Sequence, residues 1–257
     1  MFVLKLVLVA CAVLVKCDAA FVDTLTKCSI QNDECLSNFY ESSLRKIGSV
    51  GIPEINMPPI DPYKITNVTV KVLDVVTVTM TDGVLRGLSK CKSLKYHMDL
   101  KKRTVVQEFV CNLSIIGNIV IEGSSPAVQG IFGAPSIDGV GTGKVKLEKL
   151  FFRFDFPLIP FKKEDGEVYF KILNKNIKYK YDVKKVIFEA EKLMVGSEDI
   201  SKVVIPYLNN NYEIMLQIIG PEFFKKGKDI FVDVYNMFIG RISTKNYLSE
   251  NLSYLVD

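Results

Sequence analysis

The residues that could do chemistry in this 257-residue chain are few, and their spacing decides what they can do. The only histidine, His97, alternates with Lys95 and Asp99, which is the pattern of a strand's solvated face. A general base needs a nucleophile beside it. No Gly-x-Ser-x-Gly elbow occurs, and Gly123-Ser124-Ser125 does not fit one. Gly139-Val140-Gly141-Thr142-Gly143-Lys144 imitates a phosphate loop. That motif requires glycine where Asp138 stands, Ser or Thr where Val145 stands, and a helix where an alternating strand follows. These glycines read as a sheet corner. No catalytic residue and no cofactor is expected.

Cysteine is the other reactive type, and its chemistry depends on compartment. Lys5, the apolar run Leu6–Val15 and the small pair Ala19-Ala20 form a secretory signal over residues 1–20, too short for a membrane span, and no later run is long enough. The secreted chain keeps Cys28, Cys35, Cys91 and Cys111, and an oxidising compartment favours bridges. Cys28 and Cys35 close a short loop, a constraint of about 2–3 kcal/mol. Cys91 and Cys111 are equidistant from Lys101, inside the polar turn Asp99–Arg103, so a hairpin pivoting there sets them face to face. Two free buried thiols are the alternative for that pair. The spacings fit no zinc pattern, so no metal site is expected.

The elements that must position these residues change period along the chain. Asn32 or Asp33 can cap a helix whose apolar stripe is Leu36, Phe39, Tyr40, Leu44 and Ile47. Gly48 and Gly51 permit its end, and Pro53, Pro58, Pro59 and Pro62 stiffen the arm that follows. From Asn67 to Met80 the pattern alternates, with an irregularity at Leu73-Asp74-Val75 that reads as a bulge in one long strand. Strands continue through the hairpin, a Gly123–Gly130 corner leading to Ile131-Phe132, the run Lys144–Phe156, Val168–Ile172 and Ile177–Phe188. From Ser197, taken as an N-cap, a helical period returns through Val203, Tyr207, Met215 and Ile219, kinks or restarts at Pro221 and runs to Phe238. Its apolar residues cover more than half of its circumference, so sheet should wrap it on several sides.

The cysteine pair, Gly51-Ile52-Pro53 and Pro59-Ile60-Asp61-Pro62 together resemble the takeout and juvenile-hormone-binding-protein family of insect secreted carriers, within the tubular lipid-binding superfamily. The likeness spans residues 21–257 as one domain and is closest over residues 28–65 and 104–122. It implies an α+β fold: a long C-terminal helix enclosed by a strongly curved antiparallel sheet, with a short N-terminal helix and an elongated apolar cavity. It also implies that the first helix and proline arm gate the pocket. Leu36, Phe39, Tyr40, Leu44, Ile47 and Ile52 would then face ligand near one end, with Phe132, Val145, Met215 and Ile219 also in the wall. The hormone carriers' contacting tyrosine has no counterpart in the strand beginning at Gly143-Lys144-Val145, and residues 112–257 contain no cysteine for their later bridge. The resemblance thus implies a lipophile site without fixing the hormone.

A net charge of +4, reduced by one when the signal is removed, is spread along the chain and leaves no footprint for nucleic acid. The expected partner is a hydrophobic small molecule, held by a monomeric extracellular carrier. The competing reading is a membrane-surface or receptor-interacting module without a deep site. Its only support is Lys225, Lys226 and Lys228 beside Phe223-Phe224. Of three Asn-x-Ser/Thr sequons, Asn67 and Asn251 are the expected glycan sites, because Asn112 follows Cys111 inside a strand.

Overall fold

The computed structural model describes residues 20–72, 74–124, 126, 128–129, 135–195 and 197–256. The expected signal segment before Ala20 and the Gly130–Phe132 part of the glycine corner lie outside them. Helix α1 (Asp33–Ile47) precedes strands β1 (Tyr63–Val72), β2 (Val76–Arg86), β3 (Lys92–Asp99), β4 (Thr104–Ser124) and β5 (Ser136–Pro157). Strands β6 (Ile159–Lys162), β7 (Val168–Lys171), β8 (Lys178–Asp182), β9 (Lys185–Val195) and β10 (Glu198–Asp199) follow, then helices α2 (Ser201–Asn210) and α3 (Tyr212–Ile239).

Two very long strands carry the sheet. β4 and β5 pair antiparallel from Thr104–Pro157 to Ser124–Ser136. The free edge of β4 takes β3 on one half and β2, backed by β1, on the other. The free edge of β5 takes β8 and then β9 in the same way. Between the halves the register slips at Cys111/Leu113, so Glu148 and Lys149 together oppose Asn112. Lys149 takes a positive φ of 50°, and its N–H donates to Asn112 Oδ1 at 2.8 Å. An extra residue in one strand bends it and tightens the twist, so this bulge curls the sheet around α3.

The helix fills the curl with aromatic rings at heptad spacing. Phe224, Phe231 and Phe238 are buried on one stripe of α3, with Tyr235 beside them. Phe231 stacks on Phe154 at 4.0 Å, and Phe224 meets Phe152 edge-on at 5.5 Å. The fold is therefore the expected one: a long C-terminal helix inside a strongly curved antiparallel sheet.

Helix α1 begins where its sequence indicates, with Asn32 Oδ1 accepting from the Cys35 N–H at 2.9 Å. Cys28 is bonded to Cys35 and Cys91 to Cys111. The second pairing depends on a detail that symmetry about Lys101 hides. Near the turn the ladder runs Asp99↔Thr104 and Tyr96↔Gln107, a register that would carry Cys91 past Cys111. A slip between Ser93 and Lys95 restores Lys92↔Val110 and brings the cysteines opposite.

Four local readings are corrected. The irregularity read as a bulge is a turn, of which Leu73 lies outside the described residues: Val72 faces Val76, and Asp74 has φ 55°, so the alternating run is a hairpin of two strands. Ile177–Phe188 divides at Val183-Lys184 because its halves pair with different stretches of β5. The C-terminal helix starts at Ser201 and not after Ser197. Asp199 Oδ1 accepts from the Ser201 N–H at 3.0 Å and its hydroxyl at 2.6 Å, which supplies the missing cap and lowers the Asp199 pKa. The helix breaks at Asn211 and runs unbroken past Pro221.

The arm is held more firmly than its prolines suggest. Ile52 and Met57 exchange two backbone hydrogen bonds at 2.8 and 3.0 Å, and the N–H groups of Ile60 and Asp61 both donate to Gly48 O. Gly51 has φ 73°, and a Cβ there would lie 2.2 Å from Met57 O, so only glycine fits. Arg241 donates to the carbonyls of Ile55 and Asn56. The Asp61 carboxylate accepts from the N–H of Gly87 at 3.0 Å and from the N–H and hydroxyl of Ser89 at 3.0 and 2.5 Å. Asp61→Ala strips several donors of one charged acceptor and should cost about 3 kcal/mol, while Asp61→Asn should cost roughly half of that. Urea unfolding of both variants measures the difference.

Candidate functional site

The interior is not filled evenly. Beside the aliphatic half of α3 lies a cavity of about 360 Å³, walled by sheet on one side and by α2 and α3 on the other. Alternation on the strands supplies the wall. Val68, Val70 and Val72 come from β1, Val78 and Met80 from β2, and Ile115, Ile119 and Ile121 from β4. Gly143, Val145 and Ala190 face across from β5 and β9, and the helices add Val204, Leu208, Met215 and Ile219. Lys144, Glu189 and Lys226 are the charged lining residues. Glu189 sits between Lys146 and Lys144, the latter at 3.0 Å, and these ammonium groups hold its carboxyl below its ordinary range.

Two smaller cavities continue along α3. One of about 90 Å³ is lined by Leu88, Phe109 and Phe154 and shares Leu85, Leu113, Phe152 and Ile230 with the large one. The next, about 50 Å³, lies under α1 and shares Tyr40, Leu44, Val234 and Tyr235 with the second. From Met215 to Ile239 the helix rises about 36 Å, and the three follow one another along it, each sharing wall residues with the next.

The expected wall residues fall into separate places. Val145, Met215 and Ile219 line the large cavity, while Leu36, Phe39, Tyr40, Leu44 and Ile47 line the small one. Ile52 is fully buried in its bridge to Met57 and is absent from the walls of these cavities. Phe132 lies outside the described residues. The valines and isoleucines of β1, β2 and β4 were not foreseen as wall, although their alternation is plain in the sequence.

Other singled-out residues have ordinary roles. His97 Nδ1 meets the Asp33 carboxylate at 2.9 Å in the first turn of α1, with both side chains about half exposed. Gly139–Lys144 lies within β5. Phe224 is buried and Phe223 lines the large cavity, so Lys225, Lys226 and Lys228 do not share an exposed face with aromatic rings. Asn67 and Asn251 are exposed, and so is Asn112, whose side chain points outward at the bulge. The argument that hid Asn112 fails there. Among the described residues no cluster could hold a metal ion, and no helix is long and apolar enough to cross a membrane.

The family model for the haemolymph juvenile hormone binding protein matches residues 6–249. The chain belongs to this family. A juvenile hormone-binding protein of Manduca sexta is 30% identical over 97 residues, covering 37% of this chain and 42% of that protein. The match thus spans less than half of that relative's length. The crystal structure of Epiphyas postvittana Takeout 1 superposes with a TM-score of 0.73 at 18% identity, over 87% of this chain and 99% of that one. At that identity the likeness speaks for the fold alone.

Gly143 offers a direct test of the family's expected apolar site on this chain. A Cβ there meets only Ile119 Cδ1 at 3.4 Å, ordinary contact, so a larger side chain can grow into the void. Gly143→Leu should fold with a melting temperature close to wild type. It should bind a neutral fluorescent lipophile about tenfold more weakly, equivalent to two lost methylene burials. Fluorescence titration beside thermal melting checks both.

Proposed function

We propose that this protein is a secreted, non-enzymatic carrier holding a hydrophobic small molecule, a terpenoid such as juvenile hormone or another lipid-like ligand, inside the curl of its sheet. The observation that carries the reading is the large aliphatic cavity between sheet and helices. Its volume is within the range of small-molecule sites. Each buried methylene contributes about 0.8 kcal/mol, so a ligand of fifteen or so carbons gains enough to bind in the submicromolar range after the costs of association. Family membership supports a hydrophobic-ligand carrier, and the two bridges favour an oxidising compartment. The membrane-surface reading loses its motivating feature, because the aromatic partners of its lysines point inward.

The buried residues of α3 are apolar or aromatic, Tyr235 carrying their single hydroxyl, and a site of this kind works by mass action between bound and free ligand. Solvent extraction of protein purified from its native source should yield a lipophile in stoichiometric amount by mass spectrometry. Repeated empty extracts, or hydrolysis of an added terpenoid ester by pure protein, would count against the carrier. Hydrogen exchange should slow on ligand binding at β1, β2 and α2, which wall the large cavity, while the pinned arm changes little. Slowing confined to the arm and α1 would move the site to the other end.

A further inference from the structure

The wall of the large cavity is almost without polarity. Among the described residues it includes no hydroxyl, amide or imidazole side chain, and its only polar side chains are those of Lys144, Glu189 and Lys226. Lys144 and Glu189 stand opposite each other on β5 and β9 and pair at 3.0 Å, with Lys146 on the same carboxylate. That group is closed on itself. Lys226 is different. Its neighbours on α3 are matched, Lys225 with Glu222 at 3.7 Å and Lys228 with Asp229 at 3.3 Å, but Lys226 has no ion-pair or hydrogen-bond partner among the described residues.

The position of this lysine is what makes the missing partner informative. Met215, Ile219, Phe223, Lys226 and Ile230 recur at three and four along the face of α3 that lines the cavity, so a lysine occupies a place in an apolar stripe. The residue is exposed, so the wall reaches solvent here. Beside it is Gly227, where a Cβ would meet only Phe152 Cζ, at 3.7 Å. Glycine is a poor residue for a helix interior, and no close contact requires it at this position. It leaves open space next to the lysine instead. Gly227 and Ile230 line both the large cavity and the middle one, so Lys226 stands at the junction of the two.

From these observations we infer that the large cavity takes a long-chain carboxylic acid as its anion, with the chain among the aliphatic residues and the carboxylate at the rim on Lys226. The inference rests on the carrier reading and adds the head group to it. A neutral oxygen inside would find no side-chain donor on this wall, and a carboxylate drawn fully inside would lose its water with no cation to meet it. At the rim the anion keeps part of its hydration and gains a charge-assisted hydrogen bond. A cationic head would meet an excess of positive charge, Lys144, Lys146 and Lys226 against Glu189. The competing account is a lysine that only lays its stem along apolar surface and holds its ammonium in water.

The probes are dodecanoate, methyl dodecanoate and dodecyltrimethylammonium, each displacing a neutral fluorescent naphthylamine from the full chain at pH 8 and low salt. The variants are Lys226→Gln and, as a control with the same loss of charge one residue away, Lys225→Gln. Both sites are exposed, so both variants should melt close to wild type. In Lys226→Gln the affinity for dodecanoate should fall about tenfold, the worth of one charge-assisted hydrogen bond, while the ester changes by less than about twofold. Lys225→Gln should leave both within about twofold. The wild type should also bind dodecanoate more tightly than the quaternary ammonium. An unchanged dodecanoate affinity in Lys226→Gln means that the lysine only shields apolar surface, and overturns the inference. So does an equal fall in Lys225→Gln, which is a general effect of net charge, or an equal fall for the ester, which is loss of wall. An ammonium that binds as tightly as the anion overturns it too. If the ester binds and only these contrasts fail, the carrier reading stands without the acid head. If no probe displaces the dye, the carrier reading fails and the inference with it.

Discussion

A gradient of side-chain volume along one pair of strands is the constraint on which the rest of the structure depends. β4 and β5 run the length of the molecule, and α3 runs inside their curl. Toward the α1 end their inward residues are Phe109, Phe152, Phe154 and Phe156, which meet Phe224, Phe231 and Tyr235 ring to ring. Beyond the Asn112/Lys149 bulge they become leucine, isoleucine, valine and glycine. Interiors pack to near-crystalline density only when side chains reach across. Here the curvature persists while the side chains shorten, and the difference is left as void.

That account explains why the glycines in β5 are better read as spacing than as chemistry. Gly141 lets the chain of β9 approach so closely that a Cβ would lie 2.2 Å from Lys192 O, which tightens the curl. Two residues on, Gly143 has room for a side chain and has none, and the cavity occupies that room. The same repeated glycine thus serves pairing at one position and volume at the next.

Much of this was legible in the residues. The α1 stripe, its cap, the hairpin about Lys101, the alternation of β1 and β2 and the apolar breadth of α3 follow from period and propensity, because each is a property of one local segment. The misreadings lie where two segments must be compared. Leu73-Asp74-Val75 is equally compatible with a bulge or a turn until the partner of Val72 is known. The slip at Ser93, which brings Cys91 opposite Cys111, leaves no mark in composition. Besides the Ile52–Met57 pair, the arm's hydrogen bonds go to Gly48, Gly87, Ser89 and Arg241, none of them within the proline run that suggested looseness. The expected wall was drawn mostly from helices because helical stripes are conspicuous, whereas most of the large cavity's wall is strand.

The cluster under α1, Tyr40, Tyr96, Tyr235 and Tyr247 with Gln107 behind them, was invisible for the same reason, carried further. Its members come from α1, β3, β4, α3 and the segment after α3, with Gln107 and Tyr235 joined across 128 positions. No motif could announce it. A glutamine on an inward strand position is a weak signal in a sequence and a strong one in a packed interior, since an amide must be satisfied or a cost borne. At this end of the apolar row the polar groups hold their protons because burial makes ionisation unfavourable. Buried hydroxyls at one end, and at the other an aliphatic wall bordered by Lys144, Glu189 and Lys226, give the row a direction, which a uniformly greasy tunnel would lack.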